Sequence, residues 1–186
     1  MGKIVITEFV SLDGVMEDPG GAEGYEHGGW TFKFDRGADG EKFKADETMD
    51  AAGLLLGRRT YEGFAAAWPT MQGEFADKFN NMPKYVVSST LTDPQWNNSK
   101  VLDGDFVAEI TELKDAVDGD LVVHGSAQLA QGLIEHDLVD ELRLMVFPVL
   151  LGSGKRLFAS GAKKTLKLSG AQTVGEGIAT LVFERA

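Results

Sequence analysis

Three short stretches combine glycine, hydroxyl and guanidinium groups in patterns that suit the binding of phosphate. Gly57-Arg58-Arg59-Thr60 and Gly125-Ser126 each follow an apolar run, and Ser88-Ser89 ends a third. Glycine lets a phosphate approach the backbone, and the N–H groups at the start of a helix carry a partial positive charge. Small hydroxyl side chains leave room for a ligand to lie across them. The first chemistry that the sequence predicts is therefore the binding of a phosphate-containing ligand.

The stretch from Gly57 to Thr60 is the most specific of the three. Guanidinium groups such as those of Arg58 and Arg59 match phosphate oxygens with two-point hydrogen bonds. Cations at a helix N-terminus oppose the helix dipole, and this favours an anionic ligand at that place. Thr60 could cap the following helix or bind the phosphate. The alternative is a surface turn with two solvated arginines.

Gly125 and Ser126 lie between a run of strand-forming residues, DLVVH, and a helical pattern. The N–H groups of Ser126, Ala127 and Gln128 would be the unpaired donors of a helix N-terminus. The same residues also suit an ordinary joint between a strand and a helix, with Ser126 as the N-cap. From this stretch alone both interpretations stay open.

The composition argues against several other kinds of site and ligand. The 186 residues include no cysteine, and the three histidines, at positions 27, 124 and 136, lack the spacing of a zinc site, so we expect no metal. The formal net charge of −11 disfavours binding to nucleic acid. No apolar run reaches the ~20 residues of a membrane span, and no signal segment is present. We expect a single cytoplasmic domain, residues 1–186, that binds a small-molecule substrate and neither nucleic acid nor membrane.

The elements predicted around these stretches alternate along the chain. Strands are predicted at 3–10, 52–57, 84–91, 120–125 and 141–152, and helices at 39–51, 60–69, 74–80, 110–117 and 126–136. We expect residues 17–40 to form a long loop, and residues 166–185 are typical of a β-hairpin. This order indicates an α/β fold with a mostly parallel sheet and a mixed edge. It places four strand ends, near residues 10, 57, 88 and 125, along one rim of the sheet.

Five motifs resemble, in the same order, the dihydrofolate reductase-like superfamily. They are SLDG (11–14), LLLGRRTYEGF (54–64), YVVSSTL (85–91), GSAQLAQGLIEHDLVDELRL (125–144) and FPVLLGSGKRLF (147–158). The chain is most similar to proteins related to the reductase domain of the bifunctional riboflavin-pathway deaminase-reductase, from about Lys3 to Glu184. The resemblance implies a three-layer α/β fold, with a mostly parallel central sheet, flanking helices and a C-terminal antiparallel hairpin.

For the cofactor, the resemblance implies NADPH. The residues that it assigns are Gly57, Arg58, Arg59 and Thr60 for the adenosine 2′-phosphate, Ser88 and Ser89 for the adenosine side, and Gly125 and Ser126 for the pyrophosphate. The N–H groups of Ala127 and Gln128 are the neighbouring donors at the same helix N-terminus, and the backbone near Phe9, Val10 and Ser11 is assigned to the nicotinamide carboxamide. The family has a pair of glycines at the pyrophosphate, and Ser126 replaces the second. This variant is usual in the riboflavin-type branch.

For the substrate, the resemblance implies two loops. The candidates in and beside them are Asp13, Gly14, Trp30, Gly152, Ser153 and Gly154. Asp13 is the best candidate for a polar substrate contact and for a catalytic side chain, and the alternative is a turn-forming aspartate. Trp30 could cover the ring of a ligand or anchor its own loop. Lys155 and Arg156 could hold a substrate phosphate or belong to a solvated turn.

Together these implications describe an NADPH-dependent reductase that transfers hydride to a small heterocyclic substrate. The resemblance is to 5-amino-6-(5-phosphoribosylamino)uracil reductase of riboflavin biosynthesis. One alternative is a dihydrofolate reductase proper, although no acid in the helix before Gly57 aligns securely with that of folate reductases. Another is a non-catalytic NADP-binding protein. Relatives also imply a homodimer, formed through sheet edges and the strand around Leu142 to Val149.

Overall fold

The computed structural model describes residues 1–186 and contains eight strands and five α-helices. The strands are β1 (Lys3–Ser11), β2 (Ala51–Gly57), β3 (Lys84–Val87), β4 (Ser99–Leu102), β5 (Asp120–His124), β6 (Glu141–Phe147), β7 (Leu166–Val174) and β8 (Ile178–Arg185). The helices are α1 (Gly37–Asp50), α2 (Arg58–Ala67), α3 (Glu74–Asn81), α4 (Phe106–Ala116) and α5 (Ala127–Glu135), with short 3-10 helices at Trp30–Lys33 and Trp68–Thr70. None of the helices combines the length and the apolar character that crossing a membrane requires.

The strands form a mixed sheet in the order β4-β3-β2-β5-β1-β6-β8-β7. β2 pairs in parallel with β3 and β5, and β3 pairs in parallel with β4. β8 pairs antiparallel with β6 and with β7, which is the C-terminal hairpin strand at the edge. The predicted α/β fold of the dihydrofolate reductase-like type, with its C-terminal hairpin, is confirmed.

The contacts divide the chain into two compact units. Unit 1 comprises Met1–Ile6 and Ala45–Asp140, and unit 2 comprises Thr7–Lys44 and Glu141–Ala186. The chain passes from one unit to the other within β1, within α1 and just before β6. The assignment of residues 1–186 to a single domain stays a prediction.

Each unit has its own apolar core. Strands of a parallel sheet are covered on both faces, which explains why β2 and β5 are continuous apolar runs rather than alternating ones. The buried core of unit 1 includes Val5, Leu54, Leu56, Phe79, Val86, Trp96 and Val122. The buried core of unit 2 includes Trp30, Met145, Phe147, Val174 and Ile178.

Several element boundaries differ from the prediction. The strand expected at 84–91 ends at Val87, because the Ser88 hydroxyl accepts the N–H groups of Thr90 (3.2 Å) and Leu91 (3.0 Å) and closes a turn. The strand expected at 141–152 ends at Phe147, directly before a proline, which lacks the N–H needed to continue a ladder. The short strand β4 was not predicted. The helix expected from Thr60 begins two residues earlier.

Candidate functional site

In unit 1, hydroxyl groups join two glycine-containing turns. The Ser126 hydroxyl accepts a hydrogen bond from the Gly57 N–H (2.9 Å) and donates one to the His124 carbonyl (3.1 Å). The Thr60 hydroxyl accepts one from the Ser126 N–H (2.9 Å). We call Gly57, Thr60, Gly125 and Ser126 the glycine joint, since they hold the turn after β2 against the turn after β5. Two of the three predicted phosphate-binding stretches therefore meet.

The backbone of the glycine joint is left-handed at two consecutive residues. Gly125 has a φ of 55°, and Ser126 has a φ of 58° and a ψ of 52°. This conformation costs a residue with a side chain roughly 1–2 kcal/mol, which the two hydrogen bonds of the Ser126 hydroxyl offset. A Cβ atom at position 125 would lie 3.0 Å from Thr60 Oγ1. Position 125 therefore requires glycine, whereas position 126 accommodates serine.

These internal bonds occupy part of the phosphate site that the sequence predicts. The N–H groups of Gly57 and Ser126 already donate within the glycine joint, so they are not open to a phosphate. The first hydrogen bond inside α5 runs from the Ala130 N–H to the Ser126 carbonyl (2.9 Å). The N–H groups of Ala127 and Gln128 lie before that bond and have no acceptor inside the helix. They can therefore donate to a phosphate, as predicted. Ser126 instead contributes its hydroxyl to the hydrogen bonds of the glycine joint.

Arg58 is fixed beside the turn that follows β3. Its Nε donates to Glu62 Oε1 (2.8 Å), and its Nη1 donates to Thr90 Oγ1 (2.7 Å). Because Ser88 closes that same turn, the structure brings Arg58 and Ser88 into one region of unit 1. Arg58, Arg59 and Ser89 are exposed. The charge of Arg58 at the helix N-terminus already has a partner in Glu62. The position of this cation therefore does not by itself require an anionic ligand.

In unit 2, backbone hydrogen bonds join the segment after β1 to the segment after β6. The Leu12 N–H donates to the Val149 carbonyl (2.9 Å), and the Met16 N–H donates to the Lys155 carbonyl (2.8 Å). We call residues 11–17 and 149–157 the loop pair. It contains five of the six predicted substrate-binding residues: Asp13, Gly14, Gly152, Ser153 and Gly154.

Asp13 binds both halves of the loop pair. Its carboxylate accepts hydrogen bonds from the Ser11 hydroxyl (2.6 Å), the Gly152 N–H (2.8 Å) and the Leu151 N–H (3.1 Å). The Ser11 hydroxyl and then the Gly152 N–H lower the pKa of Asp13 most, to about 2. At neutral pH the group is thus an anion whose oxygens already hold three donors. These bonds make Asp13 a clamp on residues 151–154, which we call the glycine loop, and its predicted catalytic role stays a prediction.

The titration of Asp13 should be visible at the amide that it holds. We expect the Gly152 amide resonance to shift with a midpoint near pH 2, below the ordinary aspartate value of 3.8. A carboxyl whose pKa is depressed by folding contributes stability above pH 3.8, and that contribution is lost as the pH falls through about 2. In Asp13→Asn the titration should vanish, and in Asp39→Asn, an exposed site on α1, it should persist. A midpoint near 3.8 in the wild type would contradict the clamp.

Further contacts hold the glycine loop of unit 2. The Lys155 N–H donates to Glu17 Oε2 (2.7 Å), and the Tyr25 hydroxyl donates to the Ser153 carbonyl (2.6 Å). Arg156 Nη1 donates to the carbonyl of Asp13. Lys155 Nζ lies 3.6 Å from Glu17 Oε1, so both cations proposed for a substrate phosphate have contacts within the loop pair. The loop is a preformed rim that is tied at several points.

Trp30 lies in the core of unit 2. Its side chain has no exposed surface, its Nε1 donates to the Glu17 carbonyl (2.8 Å), and its ring meets that of Phe147 edge to face at 5.4 Å. The prediction that Trp30 covers a substrate is therefore corrected. The alternative, an anchor for the loop at 17–40, agrees with the structure.

Three further residues from the sequence analysis, Phe9, Val10 and His124, pack within the protein. Val10 is buried and Phe9 is half-buried in β1, and their contact with the nicotinamide stays a prediction. The His124 ring packs against Phe79, at 5.5 Å between centroids, and against Phe64, at 6.4 Å. This agrees with the interpretation of His124 as a structural residue.

Sequence reasoning missed three side chains that shape these sites: Glu62, Thr90 and Tyr25. Glu62 could have been found, because it lies four residues after Arg58 on a helix, which is the spacing of an ion pair. Thr90 and Tyr25 could not, since their partners are distant in sequence.

A model of one protein family matches nearly the whole sequence. It describes the RibD C-terminal domain and covers residues 2–180. Two similar proteins of Bacillus subtilis (strain 168), the uncharacterized proteins YyaP and YwjB, are each 26% identical to this chain. The alignments cover 97% of this chain and 94% of YyaP, and 95% of this chain and 94% of YwjB.

Two solved structures share the fold over almost their full lengths. A protein of Shewanella sp. PV-4, whose name assigns it to riboflavin biosynthesis, has a TM-score of 0.79 at 20% identity and is covered to 99%, as is this chain. A pyrimidine reductase-like protein of Corynebacterium diphtheriae has a TM-score of 0.64 at 11% identity, with 98% of this chain and 91% of that chain covered. At these identities the likeness concerns the fold.

Proposed function

This chain belongs to the family of the RibD C-terminal domain, and on that premise we propose that it is an NADPH-dependent reductase. Its substrate is a small heterocycle, similar to the 5-amino-6-(5-phosphoribosylamino)uracil that riboflavin-pathway reductases reduce. NADPH would supply the hydride, and the protein would bind, orient and shield the reactants. The resemblance of the sequence to this family is confirmed by the family model and supported by the fold.

The observation that carries the proposal is the convergence of polar groups in unit 1. The glycine joint places the start of α2 against the start of α5, and Arg58 lies beside the turn at Ser88. A dinucleotide needs donors for its pyrophosphate and a cation for the 2′-phosphate, and these groups provide both. The Thr60 oxygen accepts the Ser126 N–H, so its own proton can be donated to a phosphate. We assign the 2′-phosphate to Arg58 and Arg59, and the pyrophosphate to Thr60, Ala127 and Gln128.

In unit 2, we propose that Asp13 positions the loop beside the substrate rather than taking part in proton transfer. Asp13 holds the backbone of Leu151 and Gly152, which fixes the rim that the resemblance places beside the substrate. Its depressed pKa gives it no proton to donate at neutral pH. We therefore assign Asp13 to the orientation of the glycine loop, and the proton that accompanies hydride transfer to another donor.

The test is the affinity for NADPH and NADH, measured by fluorescence titration. Arg58→Ala should weaken NADPH binding by about tenfold or more, since hydrogen bonds to charged groups contribute roughly 1.5–3 kcal/mol. NADH lacks the 2′-phosphate, so its affinity should change little. Arg59→Ala should show the same selectivity, and Arg185→Ala, at the exposed end of β8, should change neither affinity. Equal affinities of wild type and Arg58→Ala for NADPH would refute the assignment of the phosphate.

Oxidation of NADPH separates the proposal from its rivals. Turnover with the riboflavin-pathway pyrimidine supports it, and turnover with dihydrofolate alone supports a dihydrofolate reductase proper. Binding of NADPH without oxidation by either compound supports a non-catalytic NADP-binding protein.

We also propose a homodimer, with a changed interface. β6, the strand first expected to pair, has neighbours on both sides in the sheet, so its edges are occupied. β7 is one of the two edge strands, and Leu166 and Leu168 on it are 42% and 51% exposed. An exposed apolar edge strand favours association with another chain. Light scattering should give the mass of a dimer for the wild type and for Leu150→Asp, and of a monomer for Leu168→Asp. A monomeric wild type would contradict this interface.

A further inference from the structure

An open cavity of about 710 Å³ lies in unit 1, bounded by α2 and by the segment between β3 and β4. A volume of this size is within the range of small-molecule sites. Ala65, Ala66 and Leu91 give the cavity an apolar part, and most of its other lining residues are polar. None of the residues that we assign to NADPH or to the substrate lines it. The cavity is therefore a second place where unit 1 can hold a ligand.

The charged groups that line this cavity are both carboxylates. Asp93 is exposed and makes no hydrogen bond or ion pair within the chain. Glu62 accepts a hydrogen bond from Arg58 Nε at its Oε1 (2.8 Å), which leaves its Oε2 without a donor. No lysine, arginine or histidine lines the cavity. An anionic ligand would thus meet two carboxylates, whereas a cationic ligand finds a partner in each of them.

Two cations close to these residues do not line the cavity. Lys84 has no exposed surface, and its Nζ donates to three backbone carbonyls. Arg58 donates to Glu62 and to Thr90 Oγ1 (2.7 Å). Both charges reduce the net electrostatic field at the cavity, but neither side chain belongs to its lining. Recognition of a ligand therefore depends on the hydrogen-bonding atoms of the lining rather than on long-range attraction.

Amide side chains add further acceptors to the lining. Gln95 makes no hydrogen bond within the chain. Asn97 Nδ2 donates to Asn81 Oδ1 (3.3 Å), which leaves the side-chain oxygen of Asn97 without a donor. Together with the two carboxylates, these groups offer mainly acceptors. A complementary ligand carries several N–H donors.

One buried hydroxyl in the lining has a proton without an acceptor. Tyr61 is 3% exposed, and its hydroxyl oxygen accepts the Trp96 backbone N–H (3.0 Å). No group of the chain accepts the hydroxyl proton. Trp96 Nε1 in turn donates to Asn80 Oδ1 (2.8 Å), so this wall is fixed before a ligand binds. Because buried polar groups normally have partners, the acceptor that Tyr61 lacks is expected on the ligand.

We propose that this cavity binds a small organic cation of the amidine or guanidine class, whose body carries one hydrogen-bond acceptor. The N–H groups of the cation pair with Asp93 and Glu62, with the two-point geometry that a planar fork of donors makes with a carboxylate. The acceptor receives the proton of Tyr61, and the apolar part of the body packs on α2. The site goes beyond the proposed reductase activity, which does not require it.

The probes are 4-hydroxybenzamidine, 4-hydroxybenzamide and 4-hydroxybenzoate, which have nearly the same shape and are cationic, neutral and anionic at neutral pH. NMR titration of the full chain at low ionic strength follows the amides of residues 91–97 and the indole N–H of Trp96. The amidine should shift these resonances to saturation and bind at least about threefold more tightly than the amide, the ratio expected for one partly exposed ion pair. The benzoate should bind most weakly. Equal affinities for the amidine and the amide, or shifts confined to other residues, would overturn the inference.

Variants locate the preference for the amidine over the amide. Asp93→Asn should remove most of it, and Glu62→Gln should reduce it. Asp115→Asn is the matched control, because Asp115 is an exposed acid of unit 1 on α4, and this variant should keep the wild-type ratio. Asp93 is exposed and makes no contact that its substitution would break. A preference that survives in both Asp93→Asn and Glu62→Gln would mean that the acidic surface as a whole attracts the amidine, and the cavity site would be refuted.

NADPH added at saturation tests whether the cavity is separate from the cofactor site. The shifts caused by the amidine should persist, since no residue assigned to NADPH lines the cavity. Displacement of the amidine by NADPH would overturn the second site and place the cofactor in this cavity. Amidine binding at residues 91–97 in a chain that binds no NADPH would refute the proposed cofactor and leave the second site standing.

Discussion

Replacement of Lys84 by methionine is expected to lower the free energy of unfolding by about 3 kcal/mol. Lys84 at the start of β3 has no exposed surface, and its Nζ donates to the carbonyls of Asn80 (2.7 Å), Met82 (2.9 Å) and Asn97 (2.9 Å). Nζ also lies 4.2 Å from the centroid of the Trp96 ring. Each carbonyl left without its donor costs roughly 1–3 kcal/mol, and relief from burying a charge offsets part of the sum.

Urea denaturation at several pH values checks this prediction. Burial lowers the pKa of Lys84 from 10.5 to about 8. Between these two values the unfolded chain holds a proton that the folded chain has lost, so the free energy of unfolding rises with pH across that window. Lys84→Met should lack this rise. Lys100→Met, an exposed lysine on β4, should stay within about 0.5 kcal/mol of the wild type and keep the rise. Equal stability of the Lys84 and Lys100 variants at pH 7 would show that the three bonds contribute little.

The second large effect is expected for Gly125→Ala, which should cost about 2–3 kcal/mol of stability and at least about tenfold in NADPH affinity. The φ of 55° costs a residue with a side chain roughly 1–2 kcal/mol. The new Cβ would lie 3.0 Å from Thr60 Oγ1 and 3.2 Å from Thr60 Cγ2. Thr60 must then move, and its bond from the Ser126 N–H, worth about 1 kcal/mol, is lost.

The control for this substitution is another glycine in unit 1. Gly63 lies in α2, and a Cβ there meets nothing within 4 Å. Gly63→Ala should therefore stabilise the protein by roughly 0.5–1 kcal/mol, because alanine is the better helix former, and leave NADPH binding unchanged. Thermal unfolding and cofactor titration of both variants give the comparison. Effects of the same sign in the two variants would rule out the strain at Gly125 as the cause.

The sequence predicted those features that depend on residues close together along the chain. The apolar runs of β2 and β5 predict buried parallel strands, and the glycines at 57 and 125 mark the turns that follow them. Local patterns could also have indicated the Arg58–Glu62 pair, which needs only helical spacing. The boundary of β3 was missed because a single hydroxyl, that of Ser88, turns the chain.

Contacts between distant segments could not be derived from local patterns. The Ser126 hydroxyl meets Gly57 across 69 positions, and the Asp13 carboxylate meets Gly152 across 139. Each aspartate or serine alone is a typical turn residue, so its partner decides its role. The sequence KYVV also gives no sign that Lys84 is buried, because its three acceptors come from α3, from Met82 directly after α3 and from the loop before β4. The family resemblance supplied roles for several residues; the burial of Trp30 corrects one of them, and the internal hydrogen bonds of Asp13 and Ser126 could be seen only in the structure.

Unit 2 is formed by two separate segments of the chain, and this affects the order in which the protein can fold during synthesis. Unit 2 is built from residues 7–44 and 141–186, and the 96 residues between them belong to unit 1. During synthesis, the segment 45–140 leaves the ribosome as one piece, whereas residues 7–44 must wait for partners that are translated last. Contacts of such long sequence separation raise the contact order and slow folding. We expect the first half of unit 2 to be the part of the nascent chain that depends longest on protection from aggregation.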